Sequence, residues 1–348
     1  MRIIHTTPVE RSALGFSQIV ARVKAGESFP ESADGDYVSR RIPGIVECPD
    51  GSLAAYFEYR TGGDWSAIDL AMRRSEDGGR SWSEPVILES GRGRMTLNNP
   101  VMIRDGDALV FLWCQGYKRL FCKKSYDSGR SWTGPRELTD TVDACLGDTF
   151  WSNLAPGPGH GIRTHSGRLI VPVWFACNRT DIYAHHPSFV TTLYSDDRGD
   201  SWRLGSILQS ENIPDPNESA LCQLPDGRLM INTRNISEDR MRAIAFSSND
   251  GGDFTPLKLN PALPDPICMG SMCRAGDNVL FSNCRAPKGR KNLTLSVLDS
   301  EGNPTDSLQI CPLGGYSDVC YSATRRRAYL LYEANDCTEI LCSEIEFE

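Results

Sequence analysis

One eight-residue pattern, Ser-x-Asp-x-Gly-x-x-Trp, is written three times in this chain: SEDGGRSW from Ser75, SYDSGRSW from Ser125 and SDDRGDSW from Ser195. A degenerate copy, SSNDGGDF, starts at Ser247. The starts lie 50, 70 and 52 residues apart, a spacing typical of propeller blades and similar arrays. The flanks read as strands: AIDLAMRRS and SEPVIL around the first copy, RLFCKKS and SFVTTLYS before the next two. Each copy therefore predicts a hairpin turn. Asp accepts hydrogen bonds from turn amides, Gly takes positive φ, and Trp packs back over the hairpin. On this reading Asp77, Asp127 and Asp197 are turn caps, and the repeats are architecture rather than chemistry.

Further strand runs, such as RIPGIVECPDGSLAAYFEYR, GRLIVPVWF, ALCQLPDGRLMINTR and AYLLYE, fill the chain. Helical periodicity is nearly absent; one short candidate, SALGFSQIVARVKAG (residues 12–26), precedes the first expected strand. At about 50–60 residues per blade the chain predicts an all-β, six-bladed β-propeller of four-stranded antiparallel blades. The expected organisation is a single propeller domain over residues 37–348, with residues 1–36 as an N-terminal extension packed on it.

Composition narrows the class. The chain of 348 residues is 40% hydrophobic and 24% charged, ordinary for a globular protein, and its net charge of −8 speaks against a nucleic-acid partner. No apolar run approaches the ~18 residues of a membrane span, and the start has no signal-peptide core. The 13 cysteines contain no CxxC pair, and most lie within strand patterns as small core residues. Unpaired thiols favour a reducing compartment, so a cytoplasmic location is expected. His160, His165, His185 and His186 show no ligand spacing, and no metal or cofactor is expected.

Beyond the repeats, a series of separate motifs resembles the sialidase (neuraminidase) family, whose Asp-box is the repeated octapeptide. RRIPGIV resembles the family's Arg-Ile-Pro motif, which implies that Arg41 is the first arginine of a triad gripping a sugar carboxylate; Arg40 is the alternative. EYRTGGDWSAIDLAMRRS resembles the next segment and implies Arg60 as a binding arginine and Asp64 as acid/base, with Asp69 as the competing choice. NESALCQLPDGRLMINTRN implies Glu218 and the second triad arginine, Arg234. SNCRAPKGRKNLTLSV implies the third, Arg290, with Arg285 as runner-up. GGYSDVCY resembles the nucleophile motif and gives Tyr316; LLYEAND gives Glu333, bracing the first arginine. GPGHGIRTHSGRLIVPVWF places Trp174 near the substrate's side arms. These motifs run in the family's order over nearly all of the chain after residue 38.

The resemblance implies a retaining exo-sialidase acting on a sialylated glycan, and the residue types suit that chemistry. Three guanidiniums offer permanently charged forks to a carboxylate on the anomeric carbon. A phenol is a neutral nucleophile that avoids repulsion by that carboxylate, and it needs a neighbouring base, here Glu218. Sialidases with a Tyr nucleophile are a recognised exception to the two-carboxylate rule of glycosidases. The alternatives are hydrolysis of another 2-keto sugar acid glycoside (deaminated sialic acid or Kdo), intramolecular transfer, or a non-enzymatic sialoside-binding propeller. Four N-x-S/T sequons, at Asn178, Asn217, Asn235 and Asn292, read as chance matches, because a glycan at Asn217 or Asn292 would crowd the expected pocket.

Overall fold

The structure is a computed structural model that describes residues 1–27, 37–91 and 95–346. Part of the expected N-terminal extension, residues 28–36, lies outside the described residues. The chain is folded almost wholly into antiparallel meanders, which form five hydrogen-bonded sheets. The first sheet runs Ser39–Glu47, Leu53–Arg60, Ile68–Ser75, Val86–Glu89. The second is built on Leu97–Asp105, Ala108–Gln115 and Arg119–Ser125, and the third on Leu169–Ala176 and Ser188–Ser195. The fourth runs Ser219–Gln223, Leu229–Thr233, Met241–Ser247, Lys258–Pro264. The last sheet has seven strands and turns on one long strand, Pro304–Ser322. Its first half pairs with Lys291–Leu298, and its second, from Gly314, with Arg327–Ala334.

Sheets stacked on both faces need strands that are apolar throughout, not alternating. ALVFLWC in Ala108–Gln115 and LIVPVWFA in Leu169–Ala176 are of this kind, and their apolar residues are buried on both sides. Inner strands of neighbouring sheets touch: Ser39–Glu47 lies against Leu97–Asp105 and also against Pro304–Ser322, so the first sheet meets the last. A buried polar post ties this junction together. Asp318 accepts hydrogen bonds from Ile45 N (2.8 Å) and Ser271 Oγ (2.5 Å), and its Oδ1 lies 2.7 Å from His160 Nδ1. Burial lowers the affinity of His160 for its proton, but Asp318 outweighs that and raises its pKa.

All four repeat copies form the expected hairpins. Ser75, Ser125, Ser195 and Ser247 Oγ accept from the amides of Gly79, Gly129, Gly199 and Gly251 at 2.7–2.9 Å. Those glycines have φ of +82° to +84°, which a side chain would strain. Asp77, Asp127 and Asp197 accept from the amides of Ser81, Ser131 and Ser201 at 2.7–2.9 Å. Asn249 does the same for Asp253 at 3.0 Å, so the degenerate copy keeps the turn.

Two sequence expectations need correction. The helix Phe16–Lys24 falls within its expected segment, but it does not precede the first strand: Arg2–Arg11 comes before it and pairs with Glu339–Glu346. That strand is largely exposed and its partner lies at the other end of the chain, so no local hairpin signal marks it. A second helix, Thr139–Leu146, was not expected; only Val142 of it is buried, and so short an apolar face leaves no periodicity to read. No described helix is long and apolar enough to cross a membrane. None of the thirteen cysteines is disulfide-bonded.

Candidate active site

The strand register places the chemistry at one end of the sheets. Arg60 ends the strand Leu53–Arg60, whose other end, Leu53, pairs with the first repeat serine, Ser75. Arg234 follows Thr233, whereas the repeat serine Ser247 pairs with Leu229, at the far end of the same strand. The hairpins and the site residues therefore occupy opposite edges of these sheets.

At the site edge a pocket of about 230 Å³ is lined by Arg41, Arg60, Asp64, Trp174, Glu218, Arg234, Arg290 and Tyr316, and by several residues that were not expected. Every expected site residue lines it except Glu333, which lies buried beneath Arg41. The lining carries four arginines against two carboxylates, Asp64 and Glu218, and two more carboxylates, Glu333 and Glu58, lie behind Arg41 and Arg60.

The alternatives separate by position. Asp64 lines the pocket; Asp69 lies in a strand and accepts from Tyr37 Oη (2.6 Å), Ser90 Oγ (2.9 Å) and Gly91 N (2.7 Å). Arg41 points in, while Arg40 packs over the Tyr59 ring at 4.8 Å. The register shift between Arg41 and Gly44, with Ile42 at φ +58°, is a bulge of the kind that re-aims a side chain. Arg290 lines the pocket, and Arg285 instead reaches the Ala262 carbonyl at 3.5 Å.

Each arginine is held differently. Arg41 is buried and donates to Glu333 at 2.5 and 3.3 Å; Glu333 also accepts from the amides of Ile42 (3.1 Å) and Tyr316 (2.9 Å). Burial alone would raise the Glu333 pKa, but Arg41 and Arg290 outweigh it and the pKa is lowered. Arg234 donates to Glu218 and to Tyr316 Oη (2.6 Å). Arg60 is shared between Glu58 and Asp64, at 2.5 Å each. Among the described residues, buried Arg234 Nε and Arg290 Nη1 have no hydrogen-bond partner, a costly state for a charged donor.

Tyr316 Oη lies 2.7 Å from both Glu218 oxygens. Burial pushes the phenol pKa well above its ordinary value; Arg234 and Arg290 pull the other way without prevailing. The phenol is therefore neutral at neutral pH and has a carboxylate within reach of its proton. Burial pushes the Asp64 carboxyl up, but Arg60, His185 and Arg41 outweigh it and hold it at about 2. Since 53% of the Asp64 side chain remains accessible, solvent screens that pair and it contributes little to stability.

The site residues expected from the sequence did not include Phe16, Ile42, Asn99, Tyr117, His185 and Asn217, which complete the lining. His185, Tyr117 and Trp174 form an aromatic wall with ring separations of 4.8–6.1 Å. Phe16, Asn99, Tyr117 and His185 lie in no distinctive local pattern, and the folded chain alone brings them to the pocket. Asn217 and Asn235 are buried, so neither sequon presents a glycan acceptor.

Comparison with known proteins gives the same direction. The family model of the BNR repeat-like domain matches residues 51–313. The chain is 30% identical to sialidase-3 of Mus musculus over 79% of this chain and 69% of that protein. It is 26% identical to a sialidase of Bacteroides fragilis over 90% of this chain, and spans only 63% of that relative's length. Among solved structures, Hadza microbial sialidase Hz136 superposes with a TM-score of 0.76 at 23% identity, covering 90% of this chain and 66% of that one. That likeness shows a fold of the β-propeller type. With the family model spanning most of the chain and a relative at 30% identity, the chain belongs to the sialidase family.

Proposed function

We propose that this protein is a retaining exo-sialidase that hydrolyses terminal α-linked sialic acid from glycoconjugates. The observation that carries the reading is the Tyr316–Glu218 pair at 2.7 Å, set beside Arg41, Arg234 and Arg290 in one pocket. The three arginines bind the sugar carboxylate. Glu218 takes the phenolic proton as Tyr316 Oη attacks the anomeric carbon; the glycosidic C–O bond breaks, and Asp64 protonates the departing oxygen. In the second step Asp64 deprotonates a water, which attacks the same carbon. The bond to Tyr316 breaks and Glu218 returns the proton to the phenol. Two inversions give net retention.

Trp174 and the aromatic wall would meet the substrate's side arms, and Arg60 would bind beside Asp64. We read the seven-stranded sheet as two blades sharing the strand Pro304–Ser322, which with the other four sheets makes a six-bladed propeller. Residues 37–348 then form one propeller domain, with the N-terminal residues packed on it through the pairing of Arg2–Arg11. The test is hydrolysis of a fluorogenic N-acetylneuraminic acid glycoside beside its deaminated and Kdo analogues, with the anomer and identity of the released sugar read by NMR. Release of the α-anomer supports the reading. Preference for an analogue, an anhydro product or the β-anomer overturns the corresponding part, and binding without turnover overturns the enzyme.

A further inference from the structure

The three triad arginines are not equally secured. Arg41 has two hydrogen bonds to Glu333, and Arg234 has Glu218 and the Tyr316 hydroxyl. Arg290 makes no side-chain hydrogen bond among the described residues; its nearest ion-pair contact is Glu333 at 3.8 Å. Yet its edge must be aimed to grip a carboxylate with a planar fork. What its guanidinium carbon sits over is aromatic. The Phe16 ring centroid is 4.3 Å from Arg290 Cζ and 4.8 Å from Arg41 Cζ; the Tyr316 ring is 5.0 and 5.7 Å from the same atoms. All four separations are within cation–π range.

Phe16 comes from outside the sheets, at the first residue of the helix Phe16–Lys24. Its position is pinned. Phe16 N donates to the Asp336 carbonyl (2.7 Å), and Ser17 gives its amide (3.1 Å) and hydroxyl (2.9 Å) to the Asp336 carboxylate. Gly15 fits tightly there: a Cβ on it would lie 2.6 Å from Asp336 Oδ2. Asp336 itself follows Glu333 by three residues, so the end of the strand Arg327–Ala334 braces Arg41 and the turn after it docks the helix.

We infer that Phe16 is a positioning residue of the carboxylate clamp: its ring holds Arg290 and Arg41 by cation–π contact without accepting any of their N–H donors. The inference rests on the sialidase reading above and makes the helix Phe16–Lys24 part of the binding site. An apolar ring against the two guanidiniums takes no donor from a sugar carboxylate, while it limits the orientations the arginines can adopt. An aliphatic side chain of similar bulk would exclude water equally well but would offer no quadrupole to the cations.

The experiment compares wild type, Phe16→Leu and Phe16→Ala. The readouts are KM and kcat on a sialoside, thermal melting, and calorimetric affinity for 2,3-unsaturated sialic acid and for its methyl ester. The expected result for Phe16→Leu is a roughly 5- to 30-fold loss of affinity for the acid, the range of one to two cation–π contacts. KM should rise in parallel, with kcat within about twofold, melting unchanged and the ester's affinity nearly unaltered. Phe16→Ala should lose at least as much. Wild-type affinity in Phe16→Leu overturns the inference, as does an equal loss for acid and ester, or failure of both variants to fold, which would make Phe16 a packing residue. If wild type neither binds nor hydrolyses any of these ligands, the sialidase reading itself falls, and the inference with it.

Discussion

Tyr316 Oη is 2.7 Å from each oxygen of the Glu218 carboxylate, although 98 residues separate the two in the chain. The contact gives the phenol a base in a setting where burial keeps it protonated. Replacing Tyr316 by Phe keeps the ring over Arg41 and Arg290 and removes only the attacking oxygen. The variant loses the hydrogen bonds from Arg234 and to Glu218, ~1 kcal/mol each, but those two stay paired with each other, so it should remain folded with a modest loss of melting temperature, while kcat falls by ~10³ or more. A 3-fluorosialyl fluoride should add its mass to the Tyr316 peptide of wild type. Label on Glu218, or full turnover in Tyr316→Phe, would refute the tyrosyl intermediate.

Glu333 is wholly buried and bonds Arg41 in a pair that joins the first sheet to the last. Glu333→Gln leaves the Arg41 charge buried without its counter-ion. The expected cost is about 3 kcal/mol or more in chemical denaturation, together with a raised KM because the first arginine loses its aim. Wild-type stability in this variant would mean that Arg41 is solvated through the pocket rather than held by Glu333.

How much of this was legible beforehand depended on how local each cause is. The hairpins were legible because Ser75, Asp77, Gly79 and Ser81 satisfy one another within seven residues. The strands were legible because stacked sheets demand uninterrupted apolar runs. Arg41, Asp64, Glu218, Arg234, Arg290 and Tyr316 were named through a family resemblance, and the contact of the first sheet with the last brings Arg41 and Tyr316, far apart in the chain, to one pocket. Phe16 and His185 were not legible. Each looks like an ordinary residue of a short helix or a loop until Asp336 and the aromatic wall fix where it points. The strand Arg2–Arg11 was missed for the same reason: among the described residues its strand partner is Glu339–Glu346, at the other end of the chain.

The repeat aspartates predict an acid limb of stability. Hydroxyl and amide donors of Ser131 hold Asp127 at about 2. At Asp77 and Asp197 burial pushes the other way, but Ser81 and Ser201 prevail and the value is again about 2. Each folded pKa is below the unfolded value of about 3.9. Their contribution is therefore present above about pH 4 and is lost as pH falls through about 2. Asn249 shows that an amide oxygen serves in the same turn. A triple variant, Asp77→Asn, Asp127→Asn and Asp197→Asn, should thus fold, keep its activity, and lose less melting temperature than wild type between about pH 4 and pH 2. An unchanged slope would show that the acid sensitivity lies in other carboxylates.

The last prediction concerns the proton that leaves Asp64. Burial pushes this carboxyl up, but Arg60 prevails and helps hold it at about 2, so it is ionised at working pH. A general acid must be protonated to act, and kcat/KM reports the free enzyme. For a natural sialoside, whose leaving oxygen needs the proton, kcat/KM should therefore fall as pH rises. Arg60→Gln removes the first-named charge that lowers the Asp64 pKa. That pKa should climb toward its ordinary value, and the falling limb should move to higher pH even though Arg60→Gln also weakens binding; the position of the limb, not its height, is the readout. An activated aryl sialoside needs little protonation, and its profile should hardly move. By the same reasoning Asp64→Ala should slow the natural sialoside at least ~10²-fold more than the aryl one. Equal losses on both substrates would mean that Asp64 positions the sugar rather than supplying the proton.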